Sequence, residues 1–218
     1  MIERDERRYP RIENARSLRS VAQAAKACRG CDLWAHATQT VFGEGLCAAK
    51  VLFVGEQPGD KEDLAGHPFV GPAGRVLDEA LVEAGIDRKS VYVTNAVKHF
   101  KWRASGKRRL HERPNSGEIA ACRVWLELEL RLVNPDVVVA LGATAAQALL
   151  GRAFRVTRDR GKVMSSPLAA RVVATVHPSS ILRAPDEESR RAEMRRFVRD
   201  LSGVAKLIAG PTTRTTAR

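Results

Sequence analysis

Four short runs of apolar, largely β-branched residues, separated by segments long enough to form helices, constrain the fold of this chain most strongly. The runs are VLFVGE (51–56), VYVTNAV (91–97), VVVALG (137–142) and RVVATVH (171–177). Such continuous apolar character is typical of strands buried on both faces of a parallel sheet. Between them lie helix-length segments at 73–85, 116–133 and 144–151. The pattern predicts a three-layer α/β/α sandwich around a central four-stranded parallel sheet.

The length of 218 residues with 44% apolar residues is sufficient for one compact domain with a full core, and the alternative is a pair of small domains. We expect one domain over residues 1–210. The final residues, 211–218, are expected to form a disordered tail.

The charge balance points to a polyanionic partner. The chain carries 37 Lys and Arg against 25 Asp and Glu, a formal net charge of +12. Nucleic acid is the commonest partner of such a surface, although a plain basic bias for solubility is the alternative. The N-terminal MIERDERRYPRIENARS lacks the apolar core of a signal peptide, and the stretch 137–151 is too short to span a bilayer. We therefore expect a cytoplasmic protein.

The polar residues that follow the predicted strands indicate where a ligand would bind. In open parallel sheets, ligands bind outside the carboxyl ends of the strands. Those ends fall here at Gly55, Asn95, Gly142 and His177. The loop after the first strand also holds Phe69 between glycines and prolines, which suits either a wall for a flat ring or a plug for the core.

Two further patterns have more than one interpretation. KRRLHERPN (107–115) is a basic loop that ends in His111, which could be a solvated side chain or a neutral nucleophile near pH 7. Cys28 and Cys31 form a C-x2-C pair, with Cys122 far downstream. In a cytoplasmic chain this pair suggests metal, cluster or redox chemistry, or simply two half-buried thiols.

Four segments together, in this order along the chain, resemble the uracil-DNA glycosylase superfamily. They are GEQPGDKED, GHPFVGPAG, TNAVKHF and HPSSILR. The similarity is strongest to the iron–sulfur branch of that family. The KRRLH insertion, together with Gln57, resembles the UdgX-type subgroup, whose members excise uracil and become covalently attached to DNA through the histidine of that loop.

The resemblance implies roles for residues near the strand ends. Phe69 would stack on the flipped uracil, Asn95 would hydrogen-bond its edge, and Gly55 would lie against it. His177 would stabilise negative charge on O2 of the departing base. From the residues alone, Asn95 could equally cap a turn, and a histidine before proline is more often structural.

The covalent step would involve three residues by the same resemblance. His111 would attack the sugar carbon, Glu56 would orient the nucleophile or support a cationic intermediate, and Gln57 would help to position His111. From the residues alone, hydrogen bonding within a turn is the alternative role of Glu56 and Gln57. Glu62 occupies an acidic position of the motif for which we predict no role.

The expected substrate is uracil-containing DNA, with single strands favoured because they lower the cost of flipping the base. The expected phosphate contacts are Lys107, Arg108, Arg109, Ser179, Ser180 and Arg183. Ile181 or Leu182 would wedge into the vacated stack. We expect the protein to act as a monomer.

The related iron–sulfur enzymes hold their cluster through four cysteines, at positions that fall here on Cys28, Cys31, His99 and Cys122. Histidine at the third position is a departure, but imidazole can replace thiolate on an iron–sulfur cluster. We expect a 4Fe-4S cluster, and the alternative is that it is labile or absent. Cys47 is interpreted as a small apolar filler and as the substitute ligand if His99 does not serve.

Three functions therefore follow for testing. The first is a uracil-DNA glycosylase that traps itself on DNA through His111. The second is an iron–sulfur uracil-DNA glycosylase that turns over with water as nucleophile. The third is a non-catalytic DNA-binding or redox-sensing module. An argument against it is the joint presence of four residues of the resemblance, Glu56, Phe69, Asn95 and His177.

Overall fold

The computed structural model describes residues 9–10 and 16–210, and the predicted tail at 211–218 lies outside this part. The strands are β1 (Glu44–Gly45), β2 (Val51–Gly55), β3 (Tyr92–Asn95), β4 (Trp102–Ser105), β5 (Arg108–His111), β6 (Val137–Leu141), β7 (Val163–Ser166) and β8 (Ala169–Thr175). The helices are α1 (Leu18–Ala25), α2 (Asp60–Ala65), α3 (Pro72–Glu83), α4 (Ser116–Val133), α5 (Gly142–Leu150), α6 (Val156–Asp159), α7 (Pro178–Leu182) and α8 (Glu187–Ala209).

The main sheet has the strand order β1-β3-β2-β6-β8-β7. The four runs identified in the sequence form β3, β2, β6 and β8, and these pair in parallel. The parallel centre is therefore confirmed. The sheet has six strands rather than four because β1 and β7 add antiparallel edges, and both are short and partly or fully exposed.

Helices cover both faces of the sheet. On one face, Phe53 of β2 packs in the same cluster as Leu77 of α3 and Phe197 of α8. On the other face, the next residue, Val54, packs in a cluster with Leu126 of α4. Successive strand residues point to opposite faces, so β2 needs apolar residues at every position. The three-layer α/β/α prediction is confirmed.

The segment around KRRLH is a β-hairpin, so its interpretation as a loop is wrong. Strands β4 and β5 pair antiparallel with Trp102 opposite His111 and Ser105 opposite Arg108. Gly106 takes a left-handed φ of 57° in the two-residue turn, as tight hairpin turns favour. His111 is therefore the last residue of an ordered strand.

Side-chain caps mark the start of helix α4, which follows the hairpin, and of the C-terminal helix α8. Before α4, Asn115 Oδ1 accepts the backbone N–H of Glu118 (2.9 Å), and Glu118 Oε2 accepts that of Asn115 (2.6 Å). This capping box ends the chain segment that carries His111. The sequence prediction did not include α8, although Asp186 caps it by accepting the N–H of Ser189 at 2.7 Å.

Among the described residues, no helix combines the length and apolar character needed to cross a bilayer.

Candidate active site

A cavity of about 890 Å³ opens at the carboxyl edge of the parallel strands. Glu56 follows β2, Asn95 ends β3, Gly142 follows β6 and His177 follows β8, and all four line the cavity. The chain leaves β2 for β3 on one side and later returns to β6 on the other, so the cavity lies where the strand order reverses. This is the place where such sheets bind ligands.

The inner end of the cavity is shaped by Gly55, Asn95 and Phe69. A Cβ on Gly55 would collide with Asn95 Oδ1 and would lie 2.8 Å from Phe69 Cζ. Asn95 is buried, and its side-chain amide makes no hydrogen bond within the described part of the chain. A buried, unpaired amide that borders a cavity is available to a ligand with matching donors and acceptors.

Phe69 is held in an unusual backbone conformation, with φ of 59°. A bulky residue rarely adopts the left-handed region, so the surrounding structure must impose it. Gly74 permits it, because a Cβ there would collide with the Phe69 carbonyl oxygen. Glu62 fastens the loop on both sides by accepting the backbone N–H of Gly59 (3.1 Å) and of Gly71 (2.7 Å). The structure thus supplies a role for Glu62.

His177 forms a second wall, with its ring stacked near that of Phe69 at a centroid distance of 6.4 Å and an angle of 25°. Its Nδ1 accepts the backbone N–H of Ser179 at 3.1 Å. In the neutral ring the proton is therefore on Nε2. Burial, with further contributions from Arg183 and His111, lowers the pKa of His177 to about 4. At neutral pH the ring is an uncharged donor.

Glu56 is surrounded by two residues that the sequence analysis missed. Thr144, in the first turn of α5, donates its hydroxyl to Glu56 Oε2. Arg113 donates from Nε to Thr144 Oγ1 at 3.0 Å and lies 3.9 Å from Glu56 Oε2. Thr144 follows β6 by three residues, so its place after a predicted strand end was the available signal. Arg113 offered none beyond its position near His111.

His111 lies at the rim of the cavity, with Nε2 3.5 Å from Glu56 Oε1. Gln57 holds the open end of the hairpin: its Nε2 donates to the carbonyls of Lys101 and Glu112, each at 3.1 Å, and its Oε1 accepts the N–H of Lys101 at 3.2 Å. Gln57 therefore fixes the main chain on both sides of the strand pair that ends in His111. The structure brings together the three residues that the sequence analysis grouped for this step.

The three cations of KRRLH have different surroundings. Lys107 and Arg108 are exposed at the turn. Arg109 instead reaches α2, where its guanidinium lies 2.7 Å from Asp60 Oδ1 and 2.6 Å from Asp63 Oδ2. Asp63 is fully buried and also accepts the N–H of Thr38. Arg109 thus clamps the hairpin to α2, a contact that the sequence analysis did not foresee.

The HPSSILR segment forms the short helix α7, with His177 at its N-cap. Ser179 Oγ lies 2.8 Å from His177 Nδ1, and Ser180 Oγ donates to the His177 carbonyl at 2.7 Å. Ser180 and Arg183 are exposed. Ile181 is buried in the core, which leaves Leu182, at the cavity wall, as the residue able to reach a base stack.

A buried ion pair lies directly behind Asn95. Lys98 Nζ is 2.5 Å from Glu129 Oε2 and also donates to Thr94 Oγ1 and the Asn95 carbonyl, both at 2.7 Å. Glu129 further accepts a hydrogen bond from Tyr92 OH, and burial together with the Glu129 charge raises the pKa of Tyr92. Because each polar atom is partnered, the network fixes the backbone at the end of β3. The sequence analysis missed it, since the two charges lie 31 residues apart and nothing in the sequence pairs them.

Three of the predicted cluster ligands share one packed region. Cys28 and Cys122 are buried there, and Cys31 is partly buried against them. Cys28 Sγ accepts Trp125 Nε1–H at 3.2 Å and Gly30 N–H at 3.4 Å, and Cys122 Sγ accepts the N–H of Lys98 at 3.2 Å. Burial raises the pKa of Cys122 to about 12. Hydrogen-bond donors aimed at sulfur are what a thiolate ligand requires.

His99 is buried, with Nε2 2.9 Å from Thr40 Oγ1. Within residues 9–10 and 16–210, no three His, Cys, Asp or Glu side chains converge on a point that could hold a single metal ion. The ligands of a four-iron cluster bind different irons, so they need not converge in that way. Cys47 is exposed before β2, which makes its interpretation as an apolar filler wrong.

Comparison with known proteins agrees with this architecture. The sequence profile of the uracil DNA glycosylase superfamily matches residues 42–202. A type-4 uracil-DNA glycosylase of Thermotoga maritima is 41% identical over 172 residues, which cover 78% of this chain and 86% of the relative. A type-4 enzyme of Archaeoglobus fulgidus is 36% identical over 78% of this chain and 85% of its own length. A type-5 enzyme of Pyrobaculum aerophilum is 30% identical over 80% of this chain and 78% of its own length. The match includes all four parallel strands and the cavity at their ends, and the chain belongs to the uracil-DNA glycosylase superfamily.

Proposed function

We propose that this protein excises uracil from DNA, preferring single strands, and is then joined covalently through His111 to the deoxyribose it has exposed. The observation that carries the proposal is the separation of 3.5 Å between His111 Nε2 and Glu56 Oε1 at the rim of the cavity. The names of the relatives, which are type-4 and type-5 uracil-DNA glycosylases, support the excision step.

Recognition of uracil rests on Asn95 and Phe69. The unpaired amide of Asn95 offers one donor and one acceptor, which matches the O4 and N3–H edge of uracil. Cytosine presents the opposite pattern at this edge, and a site with a buried unmatched polar group rejects it strongly. Phe69 contributes a flat surface, and Gly55 leaves the space that the ring needs.

Cleavage breaks the bond between C1′ and N1, and the electron pair leaves with uracil. His177 would donate Nε2–H to the developing negative charge on uracil O2. Its neutral state, which follows from a pKa of about 4, means that the ring stabilises the leaving group by a hydrogen bond rather than by a formal charge. The sugar becomes cationic in the manner of an oxocarbenium ion.

A ring nitrogen of neutral His111 would then form a bond to C1′. The resulting imidazolium loses its N–H proton, for which the Glu56 carboxylate is the nearest acceptor. Proximity favours the imidazole over water, because a well-oriented intramolecular nucleophile can gain roughly 7–11 kcal/mol. The neutral alkylimidazole product is a poor leaving group, so the adduct persists and the enzyme acts once.

The first test is a denaturing gel of the protein mixed with a uracil-containing single-stranded oligonucleotide. We expect a DNA-linked protein band for the wild type and no such band for His111→Ser, in which Glu56 would orient water and give a free abasic product with turnover. Ser105→Ala, at an exposed position of the same hairpin, is the matched control and should keep the band. A wild-type protein that releases uracil repeatedly without an adduct would instead establish the turnover glycosylase. A protein that binds DNA without releasing uracil would be the non-catalytic module.

The proposal includes a 4Fe-4S cluster held by Cys28, Cys31, Cys122 and His99. The three thiols and their N–H donors fit such a group. When bound, the cluster would serve as a cross-link between the segment after α1 and helix α4. The chain's own contribution is to shield the thiolates from water and to donate hydrogen bonds to them from Trp125, Gly30 and Lys98.

A further inference from the structure

A second cavity, of about 720 Å³, lies beside the first and shares Arg113 and Thr144 with it. Its walls come from the first half of α4 and from the end of α5 with the following turn. Apolar atoms of Leu126, Ile119 and Ala148 line it. Since the two shared residues also contact Glu56, a ligand that fills the second cavity is a direct neighbour of the reaction site.

The polar residues at this second cavity are cationic. Arg113, Arg123 and Arg152 line it and are all exposed, and no lining residue in the described part is acidic. Arg123 pairs with Glu127, one turn later in the same helix, and a solvent-exposed pair of this kind contributes little to stability. The Arg152 guanidinium makes no ion pair or hydrogen bond within the described part of the chain. An anionic group here would therefore meet the Arg152 guanidinium without competition from a carboxylate, and would meet Arg123 and Arg113 beside the carboxylates of Glu127 and Glu56.

We infer that the second cavity is a nucleotide subsite, which holds the base and phosphate of one nucleotide adjacent to the uracil on the same strand. The inference rests on the proposed function, because it needs DNA in the first cavity. The apolar surface accepts the face of a base, and the arginines accept its phosphate. Because the two cavities share Arg113 and Thr144, a nucleotide next to the uracil on the same strand is the group that would lie nearest to the second cavity.

The test measures the rate of uracil release at subsaturating DNA, which reports on either chemical outcome. One substrate is an eleven-nucleotide single strand with central uracil. Two others replace the base on the 5′ or the 3′ side of the uracil by a tetrahydrofuran spacer. For the wild type we expect the spacer to slow release about tenfold on one side and to have little effect on the other.

Arg152→Glu should slow release about tenfold on the intact strand and lower the salt dependence by about one unit of slope, as loss of one phosphate contact predicts. On the spacer substrate that slows the wild type, the rate of uracil release by the variant should fall less, relative to the wild type, than it does on the intact strand. The reason is that the base and the phosphate act in one subsite. Arg131→Glu, an equal charge change at an exposed position of α4 outside the cavity, is the matched control and should be near wild type.

Equal slowing by Arg152→Glu and Arg131→Glu on every substrate would reduce the effect to net charge and overturn the subsite. A wild type indifferent to both spacers would do the same. Failure of the proposed function looks different, because the wild type would then release no uracil from any of the three strands.

Discussion

At the scale of single residues, the site is defined as much by a missing side chain as by those present. Gly55 lies at the end of β2, where a Cβ would meet both Asn95 and Phe69. The space beside Asn95 and Phe69 therefore depends on one residue that contributes no functional group of its own.

Gly55→Ala should reduce uracil release about a hundredfold, because a displacement of Asn95 or Phe69 of the order of 1 Å is enough to lose the productive geometry. Overpacking should also lower the free energy of unfolding by about 1–3 kcal/mol. Single-turnover kinetics and urea denaturation measure the two effects separately.

Gly203→Ala is the matched control, since nothing lies within 4 Å of a Cβ at this exposed position of α8. It should leave uracil release unchanged and stabilise the protein by about 0.5–1 kcal/mol, as expected for alanine in a helix. An active Gly55→Ala protein with wild-type stability would show that the uracil lies elsewhere.

The family resemblance of the motifs selected Phe69, Asn95 and His177, which the structure brings into one cavity. The motifs were insufficient for Thr144 and Arg113. Thr144 meets Glu56 because β6 pairs next to β2, and Arg113 does so because Gln57 holds the neighbouring Glu112 carbonyl. Both are tertiary arrangements. Lys98 and Glu129 were also beyond reach, since the sequence around each charge does not identify a partner 31 residues away.

At the scale of elements, the hairpin that carries His111 is held in place by its contact with α2. Arg109 joins the two through Asp60 and Asp63, and Asp63 is fully buried. Removing one partner of a buried ion pair leaves an uncompensated charge, which is expensive.

Arg109→Ala should therefore lower the free energy of unfolding by about 3 kcal/mol and increase hydrogen exchange in β4 and β5. Arg108→Ala, one residue earlier and exposed, should change stability by less than about 0.5 kcal/mol. Urea denaturation and amide exchange on the two variants give the comparison. If both behave alike, the clamp does not order the hairpin.

The elements themselves were largely readable from the sequence where they are buried. Helix α4 has the predicted bounds, and each of the four parallel strands falls within or beside its predicted run. The hairpin and the edge strands could not be predicted from the sequence, because exposed strands lack the continuous apolar residues on which the prediction relied. The Gly106-Lys107 pair was the one local sign of a tight turn.

At the scale of the whole molecule, the proposed cluster would join the N-terminal segment to the sandwich through Cys28, Cys31 and Cys122. Protein purified anaerobically should be yellow-brown and contain about four irons and four sulfides per chain. Cys122→Ser should lose both elements and unfold at a lower temperature, because the cross-link between α4 and the segment after α1 is gone. Cys47→Ser changes an exposed thiol outside that region and should retain iron, sulfide and melting temperature. If the wild-type protein contains no iron and melts at the same temperature as Cys122→Ser, the cluster is removed from the proposal.

The position of His111 at the open end of its hairpin has a mechanical consequence. A DNA strand joined to it would transmit tension to the end of the strand pair beside Trp102, not to the turn at Gly106. From there the load passes through Lys101 and Glu112 to Gln57 and so to β2 at the centre of the sheet. An enzyme that moves along DNA and pulls on such a strand would apply its force to the core of the fold. It would not separate β4 from β5 starting at the turn.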